Sequence, residues 1–267
     1  MWDAGQYLRF GGERARPFFD LVAQVGATSP HYVADLGCGP GNLTAALAAR
    51  WPGATVTGVD NSPEMIAAAR AAVPQAANLS FALGDVRDWR PEWPLDVLVC
   101  NAVLQWVPGH DEILLRWADL LAPGGWLAFQ LPGNFDQPSH EIVKEMARSA
   151  RWRSPLAGAT LNRQAGDPAE YVALLARPGF EVDAWETSYL HILHGNNPVL
   201  EWTKGSTLRP VLSALGAEQA GAFLREYGDR VREAYPPAPF GTVFPFRRVF
   251  TVVHRVALGE VGQAASR

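Results

Sequence analysis

The chain has 267 residues, of which 48% are hydrophobic and 19% are charged. This balance is that of an ordinary folded protein and excludes global disorder, because enough apolar surface is available to form a core. The formal net charge is −4, which gives no broad electrostatic attraction to nucleic acid or to anionic membranes.

The N-terminal residues do not have the pattern of a secretion signal, since no basic start is followed by an apolar core. No apolar run approaches the roughly 20 residues that a membrane-spanning helix needs. The two cysteines, Cys38 and Cys100, fall at predicted strand ends and are expected to be buried, reduced thiols. We therefore expect a cytoplasmic protein with no metal site.

The first half of the chain alternates short apolar runs with helical patterns, which is typical of a parallel sheet with crossover helices. One helix start is specific: Ser62 is a suitable N-cap, Pro63 fits the first helical position, and Glu64 complements the positive helix end. A turn is predicted at 123–125 from its Pro-Gly-Gly sequence. The predicted strands are 31–36, 54–60, 79–83, 95–100 and 126–131, and the predicted helices are 41–51, 62–73 and 111–121.

The second half is less regular, and no linker divides it from the first. We therefore expect a single domain over 1–267, in which residues 133–245 contain helical insertions that cap the sheet between its last strands. The predicted helices of this half are 138–150, 167–176, 198–214 and 217–234, and the predicted strands are 181–193 and 246–256.

A glycine-rich turn follows the first predicted strand, where residues 35–41 read Asp-Leu-Gly-Cys-Gly-Pro-Gly. Glycines tolerate positive φ and let a ligand approach the backbone, and the helix that follows offers free N–H groups to a negative ligand end. Dinucleotide-binding turns have the pattern G-x-G-x-x-G, whereas this turn has G-x-G-x-G. The spacing argues against a pyrophosphate ligand.

Two further carboxylates end the next predicted strands. Asp60 ends the second strand, 19 residues beyond Gly41, where a carboxylate can accept both hydroxyls of a ribose. Asp85 ends the third strand, where a side chain would reach an adenine edge. Either residue could instead be a helix cap or a turn former. Together they favour a ligand, because open α/β sheets bind ligands at the carboxyl ends of their strands.

The turn at 35–41, with Val-Asp-Asn-Ser-Pro-Glu-Met at 59–65 and Gly-Asp-Val at 84–86, resembles the class I S-adenosylmethionine-dependent methyltransferases. The similarity continues at 101–106 and 121–125. It implies a Rossmann-like α/β fold, with a seven-stranded, mostly parallel sheet, a reversed last strand and helices on both faces. It also implies S-adenosylmethionine as the cofactor.

The resemblance further assigns parts of the cofactor to individual residues. Asp35 would hold the methionine amino group above Gly37 and Gly39, with Asn101 beside the methionine moiety. Asp60 would bind the ribose. The remaining positions belong to the same motifs or to the adenine pocket, and they are Gly41, Asn61, Met65, Asp85 and Val86.

The methyl acceptor is less closely specified. Residues 101–104 read Asn-Ala-Val-Leu, which lacks the Asn/Asp-Pro-Pro-Tyr motif of many amine methyltransferases. A carboxylate acceptor needs no base, because it is ionised well below about pH 7. Arginine suits bidentate carboxylate binding, although solvated side chains with apolar stems explain the basic residues equally well. The candidate clamps are Lys204, Arg209, Arg247 and Arg248.

Over its whole length the chain is similar to the family of the trans-aconitate methyltransferases, notably at 130–135, 138–140, 201–204 and 244–250. The similarity implies O-methylation of one carboxylate of trans-aconitate, a small tricarboxylate, to give a monomethyl ester. We expect Tyr7 to cover the cofactor, Trp202 to bind substrate, and the reacting pocket to be lined by Gln105, Trp106 and His140.

Two alternatives stay open. The acceptor could be another small or carrier-bound carboxylic acid, or the chain could be a non-catalytic assembly factor that binds the cofactor. In either case we expect a monomer or weak dimer with no nucleic-acid or membrane partner.

Overall fold

The centre of the protein is a sheet of seven strands. The structure is a computed structural model that describes residues 11–72, 76–159, 161 and 165–257. The strands are β1 (Tyr32–Leu36), β2 (Thr55–Asp60), β3 (Leu79–Leu83), β4 (Leu95–Asn101), β5 (Leu121–Pro132), β6 (Phe180–Leu193) and β7 (Thr242–Arg255).

Their order in the sheet is β3-β2-β1-β4-β5-β7-β6. The first five strands pair in parallel, and β7 runs antiparallel to both β5 and β6. The mostly parallel sheet with a reversed last strand, expected from the sequence, is therefore confirmed. In this arrangement the carboxyl ends of β1 to β5 all lie at one edge of the sheet.

Helices cover both faces of the sheet. On one face α1 and α2 contribute Phe18 and Leu47 to a buried core, and on the other α4 and α6 contribute Trp117 and Tyr171. The helices are α1 (Gly11–Val22), α2 (Asn42–Arg50), α3 (Pro63–Ala72), α4 (His110–Asp119), α5 (Pro138–Arg148), α6 (Pro168–Leu175), α7 (Pro198–Lys204), α8 (Arg209–Ala214) and α9 (Ala217–Ala234).

Two predictions about single elements are wrong. The Pro-Gly-Gly segment at 123–125 lies inside β5 as an irregularity, since the register with β4 jumps from the Leu95–Leu121 pair to a pair with Trp126. Gly124 provides the positive φ of 82° that this irregularity needs. The helix expected over 198–214 is divided into α7 and α8, because Gly205 ends the first and Pro210 lies in the first turn of the second.

The cap is built from two separate segments of the chain. α5 and the residues after it stand between β5 and α6, and α7 to α9 stand between β6 and β7. The two elements between these segments are not part of the cap. β6 is a strand of the sheet, and α6 covers the sheet, since its Tyr171 and Leu175 pack in the core beneath α4. The cap has a core of its own, which includes Val143, Met146, Trp202, Phe223, Tyr227, Val231 and Phe244.

Contacts from α1 and from the residues just after it orient this helix on the sheet. The Oη atom of Tyr189 on β6 donates a 2.7 Å hydrogen bond to Asp20, and the Arg16 guanidinium lies 5.2 Å from the centre of the same ring. Just beyond α1, Gly26 lies against the indole of Trp126. α1 therefore runs antiparallel to β5, and its N-terminal end points to the carboxyl edge of the sheet.

No helix among the described residues is long and apolar enough to cross a membrane. The same part of the chain contains no group of three or more His, Cys, Asp or Glu side chains arranged to hold a metal ion. Cys38 and Cys100 are buried free thiols, and burial raises the pKa of each, so both are protonated at neutral pH.

The separate core of the cap can be tested by replacing Trp202 with alanine. Trp202 is 2% exposed and packs against His191 and Phe244, so its loss should lower the free energy of unfolding by about 3–5 kcal/mol. The matched control is Trp93→Ala, which should cost less than about 1 kcal/mol because Trp93 is 57% exposed. Urea denaturation measures both variants, and equal losses would contradict this account of the cap.

Candidate active site

Four polar side chains form a row on one face of the sheet at its carboxyl edge. Asp35 on β1 pairs with a position two residues before Asn101 on β4, and Asn101 pairs with Gln130 on β5. Gln130 pairs with Phe250 on β7, two residues from Arg248. Paired residues, and residues two apart on a strand, share a face. We call Asp35, Asn101, Gln130 and Arg248 the polar row.

The glycine-rich turn lies next to this row. Gly37, Gly39 and Gly41 have φ angles of 79°, 55° and 79°, a region that favours glycine. A Cβ atom at Gly37 would lie 2.1 Å from Val103, so the segment after β4 closes the turn at that point. No described residue other than its chain neighbours has an atom within 4 Å of a Cβ atom placed at Gly39. The space above Gly39 is therefore open to a ligand, beside the N-terminus of α2 that Gly41 caps.

Backbone donors hold the Asp60 carboxylate against the glycine turn. Its Oδ2 accepts a 2.9 Å hydrogen bond from the N–H of Gly39, and its Oδ1 accepts one of 2.9 Å from the N–H of Ser62. These bonds fix the orientation of the carboxylate between β1 and β2. Each oxygen keeps a further lone pair, so Asp60 can still accept the hydroxyls of a ribose.

Asp35 is a buried carboxyl group beside the same turn. Thr44 on α2 donates a 2.7 Å hydrogen bond from Oγ1 to Asp35 Oδ2. Burial raises the pKa of Asp35 to about 6, the Thr44 hydrogen bond opposes the rise, and the negative charge of Asp60 adds to it. A cationic ligand group at this position would therefore be attracted to the carboxylate and would favour its ionised form.

Asp85 is held by its neighbours in the loop after β3. Arg87 donates to Oδ1 from its backbone N–H and from Nε, both at 2.9 Å, and to Oδ2 from Nη2 at 2.6 Å. The Arg87 side chain above all, with a further hydrogen bond from Asn61, holds the pKa of Asp85 well below its usual range. An adenine amino group would share this ionised carboxylate with Arg87. The two apolar residues predicted for the adenine pocket, Met65 and Val86, are both buried.

The segment after β4 turns sharply at a strained residue. Ala102 has a φ of 58°, rare for a residue other than glycine, and its N–H donates to the carbonyl of Gln130 at 2.8 Å. Gln105 Nε2 donates to the carbonyl of Ala102 at 2.7 Å, while Trp106 is 43% exposed. Asn101 Oδ1 and Gln105 Oε1 are buried, and neither has a hydrogen-bond partner in residues 11–72, 76–159, 161 and 165–257. Buried polar atoms are nearly always paired, so these two oxygens favour a ligand.

Two buried amides near the end of β5 were missed as site residues by sequence analysis. Gln130 and Asn134 are both 0% exposed. Arg248 Nη1 donates to Gln130 Oε1 at 3.1 Å. Within the described part of the chain, Gln130 Nε2 and both amide atoms of Asn134 have no hydrogen-bond partner. One sequence feature could have revealed Gln130 as a site residue: its polar amide stands between the apolar residues Phe129 and Leu131 in a strand predicted to be buried.

The structure separates the basic residues that the sequence suggested as clamps. Arg247 forms ion pairs of 2.6 Å with both Asp167 and Glu186, and Lys204 forms one of 2.5 Å with Glu201. These two cations are already neutralised by neighbours. Of the four candidates, the register of the sheet brings only Arg248 into the polar row within the part of the chain described.

The other predicted residues lie mostly in the cap. Arg209 begins α8, where partial burial lowers its pKa. His140 lies in α5, with Nε2 3.1 Å from Thr207 Oγ1 and its ring against Phe135. Trp202 belongs to the core of the cap. Tyr7 lies outside the described residues.

The residues at this edge fit S-adenosylmethionine. The open space above Gly39 and the unpartnered oxygen of Asn101 show that the edge is shaped for a ligand. Asp35 would face the amino group of the methionine part, Asp60 the ribose and Asp85 the adenine. Asp35 and Asp60 lie near the carboxyl ends of β1 and β2, and Asp85 comes just after β3, so the three carboxylates would face successive parts of one extended ligand.

Comparison with known proteins agrees with this fit. Residues 33–125 match a family model described as a methyltransferase domain. The trans-aconitate 2-methyltransferase of Streptomyces avermitilis is 55% identical over 262 residues, which are 96% of this chain and 97% of that protein. The trans-aconitate 2-methyltransferase of Rhodococcus jostii is 50% identical over 94% of this chain and 98% of that protein.

Solved structures share the fold at lower identity. The phosphoethanolamine N-methyltransferase 2 of Haemonchus contortus, solved with S-adenosyl-L-methionine, has a TM-score of 0.57 and 14% identity over 94% of this chain and 56% of that chain. The plantazolicin methyltransferase BpumL, solved with S-adenosylhomocysteine, has a TM-score of 0.51 and 16% identity over 95% and 86% of the two chains.

Replacing Gly39 with alanine should weaken the binding of S-adenosylhomocysteine by at least about tenfold, because the added methyl group enters the open space that the ligand fills. The positive φ should also cost about 1–2 kcal/mol of stability. The matched control is Gly179→Ala, since Gly179 has a φ of 85° and open space around it but precedes β6 at the opposite edge. Calorimetry on both variants should show a loss of affinity for Gly39→Ala alone. An equal loss in the control would refute the placement of the ligand above Gly39.

The raised pKa of Asp35 predicts that the affinity for the cofactor depends on pH. Its pKa of about 6 means that the carboxyl group ionises as the pH rises through that value, and the ionised form attracts the cofactor's amino cation. The affinity for S-adenosylhomocysteine should therefore rise about tenfold between about pH 5 and pH 7. Because the pKa is raised, the free protein should lose stability over the same interval.

The control for this titration is Asp35→Asn, which has the same shape and no ionisation. It should bind more weakly at about pH 7 and show no step between pH 5 and pH 7. Titration calorimetry at several pH values measures both proteins. A step of equal size in the variant would assign the pH dependence to another group.

Proposed function

The chain belongs to the family of the trans-aconitate 2-methyltransferases and is an S-adenosylmethionine-dependent methyltransferase, and we propose that its acceptor is one carboxylate of trans-aconitate. The proposal rests on the identity of 55% with a relative of that name over 96% of the chain. The polar row supports it, because a buried arginine and an amide donor lie in register with the residues that would hold the cofactor.

When bound, S-adenosylmethionine supplies a methyl group on a positively charged sulfur, which accepts the bonding electron pair as S-adenosylhomocysteine leaves. A carboxylate oxygen forms the new bond to carbon, and the product is a monomethyl ester. No proton is transferred, because the carboxylate is already ionised at neutral pH. The protein therefore needs to position the acceptor and exclude water rather than to provide a base.

Residues at two neighbouring parts of the carboxyl edge would provide this positioning. We call the part at β1 and β2 the cofactor half and the part at β5 and β7 the acceptor half. Asp35, Asp60 and the glycine turn would hold the cofactor over β1 and β2, since they provide a buried carboxylate, a carboxylate oriented by backbone donors and open backbone space. Asn101 on β4 stands between this half and the acceptor half on β5 and β7. An acceptor held over β5 would lie near the methionine end of the cofactor, and this proximity would lower the barrier to transfer.

Arg248 is the strongest candidate for the acceptor clamp. Its side chain is 5% exposed, lies 4.6 Å from the centre of the Phe246 ring and donates to Gln130. A guanidinium in a poorly hydrated site attracts a carboxylate far more strongly than one in water. A tricarboxylate has two carboxylates besides the one that reacts, and Arg248 would hold one of them.

The remaining candidates have different roles. Arg247 and Lys204 are neutralised by carboxylates, so we assign them to the stability of the loop at Gly133 and of α7. Arg209, in the cap, is a candidate for a second clamp. His140 hydrogen-bonds within the cap to Thr207, and the reaction proposed here needs no general base from it.

The proposal is tested by methyl transfer from labelled S-adenosylmethionine to trans-aconitate, with cis-aconitate, isocitrate and citrate alongside. We expect saturable transfer to trans-aconitate that is much faster than to the others. Faster transfer to a different acid would replace the acceptor and keep the chemistry. No transfer to any of them, with cofactor binding intact, would refute the acceptor class.

Replacing Arg248 with methionine should lower kcat/KM for trans-aconitate on the order of 10- to 100-fold, mostly through KM, because a charge-assisted contact is lost. The affinity for S-adenosylhomocysteine should stay within about twofold. Arg225→Met, at an exposed position of α9, removes the same charge and should leave both values unchanged. Steady-state kinetics and calorimetry separate the two; an unchanged KM in the Arg248 variant would rule out the clamp.

A further inference from the structure

We propose that the side-chain amide of Gln130 donates a hydrogen bond to a carboxylate of the acceptor, and that Arg248 fixes the orientation in which it does so. This inference rests on the proposed function, since it concerns the site at which the acceptor would bind. It makes Gln130, an uncharged residue inside an apolar strand, a determinant of acceptor specificity.

The first observation is a donor without a partner. Gln130 is 0% exposed, and its Nε2 atom has no hydrogen-bond partner among the residues that the structure describes. An unsatisfied buried donor costs about 1–3 kcal/mol, and such groups are rare in folded proteins. A ligand that accepts a hydrogen bond at this position accounts for the atom, whereas a purely structural glutamine does not.

The second observation is the direction of the amide. Arg248 Nη1 donates to Gln130 Oε1 at 3.1 Å. Because a guanidinium can only donate, the oxygen of the amide must face Arg248 and its NH2 group must face away. The amide therefore presents its Nε2 donor to the site on the side away from Arg248. A donor at this position suits a carboxylate and disfavours an ammonium group.

The third observation is that Gln130, in the acceptor half of the edge, lies next to Asn101. Its register partner on β4 is Asn101, and its carbonyl accepts the N–H of Ala102 at 2.8 Å. Gln130 is thus joined to the strained turn that packs over Gly37 through Val103. A carboxylate bound to Gln130 would lie beside the methionine end of the cofactor.

A carboxylate can come from two sources here, because the methionine part of the cofactor also has one. The acceptor is the favoured source, since Gln130 pairs its amide with Arg248 on β7, on the far side of β5 from the glycine turn. The two sources predict different effects of mutation. Loss of an acceptor contact raises KM for trans-aconitate, and loss of a cofactor contact weakens the binding of S-adenosylhomocysteine.

The test is Gln130→Glu, which keeps the shape and an oxygen facing Arg248 but replaces the donor with a carboxylate oxygen. We expect kcat/KM for trans-aconitate to fall on the order of 10- to 100-fold through KM, with the affinity for S-adenosylhomocysteine within about twofold of the unmodified protein. Gln130→Met removes the donor without adding charge and should show a smaller rise in KM. The matched control is Gln219→Glu, at an exposed position of α9, which should change neither value.

The outcomes separate this inference from the proposed function. Suppose first that the unmodified protein methylates trans-aconitate. The inference is then wrong, and the function stands, if both Gln130 variants fold and either keep the KM of the unmodified protein or lose only affinity for the cofactor. If the unmodified protein does not methylate trans-aconitate, calorimetry with propane-1,2,3-tricarboxylate and the S-adenosylhomocysteine complex decides. Binding that Gln130→Glu abolishes would support the carboxylate contact without the function, and no binding to the unmodified protein would refute both.

Discussion

The fixed register of β1, β4, β5 and β7 is the constraint on which the site depends. A slip of one residue in any strand would turn its side chains to the opposite face. The register is held by the apolar residues next to the polar row, since Val33, Val99, Ala128 and Val252 are buried on the same face against α1 and α2. The same alternation therefore builds a dry core in the middle of the sheet and a polar row at its edge.

This row is costly for the free protein. A buried carboxyl group with a raised pKa and a buried amide with an unsatisfied donor both reduce stability. The same two features favour ligands, because a ligand that provides the missing cation or acceptor binds the folded chain and not the unfolded one. The rest of the fold, including a cap with its own core, has to offset this cost.

The cofactor half of the site was predictable from sequence because its determinants are local. Positive φ at three glycines within five residues needs only the turn itself, and Asp60 lies at the end of the next strand. The acceptor half depends on contacts between distant parts of the chain, such as Gln130 with Arg248, which are 118 residues apart. No local pattern shows that this glutamine faces an arginine. The place of Trp202 in the core of the cap likewise depends on distant contacts and was not predictable from sequence, and its role at the substrate stays a prediction.

The neighbouring residues Arg247 and Arg248 show how alternation on a strand divides two roles between identical side chains. Arg247 faces Asp167 and Glu186 and donates to the carbonyl of Gly133, so its charge is neutralised and it holds the end of β5 in place. Arg248 points to the other face, where it orients Gln130. The first arginine stabilises the edge, and the second fixes the direction in which the Gln130 amide presents its donor. Because the proposed reaction needs no base, a correctly directed donor would be sufficient to favour a carboxylate over an amine, and that direction is set by the alternation of side chains on a β-strand.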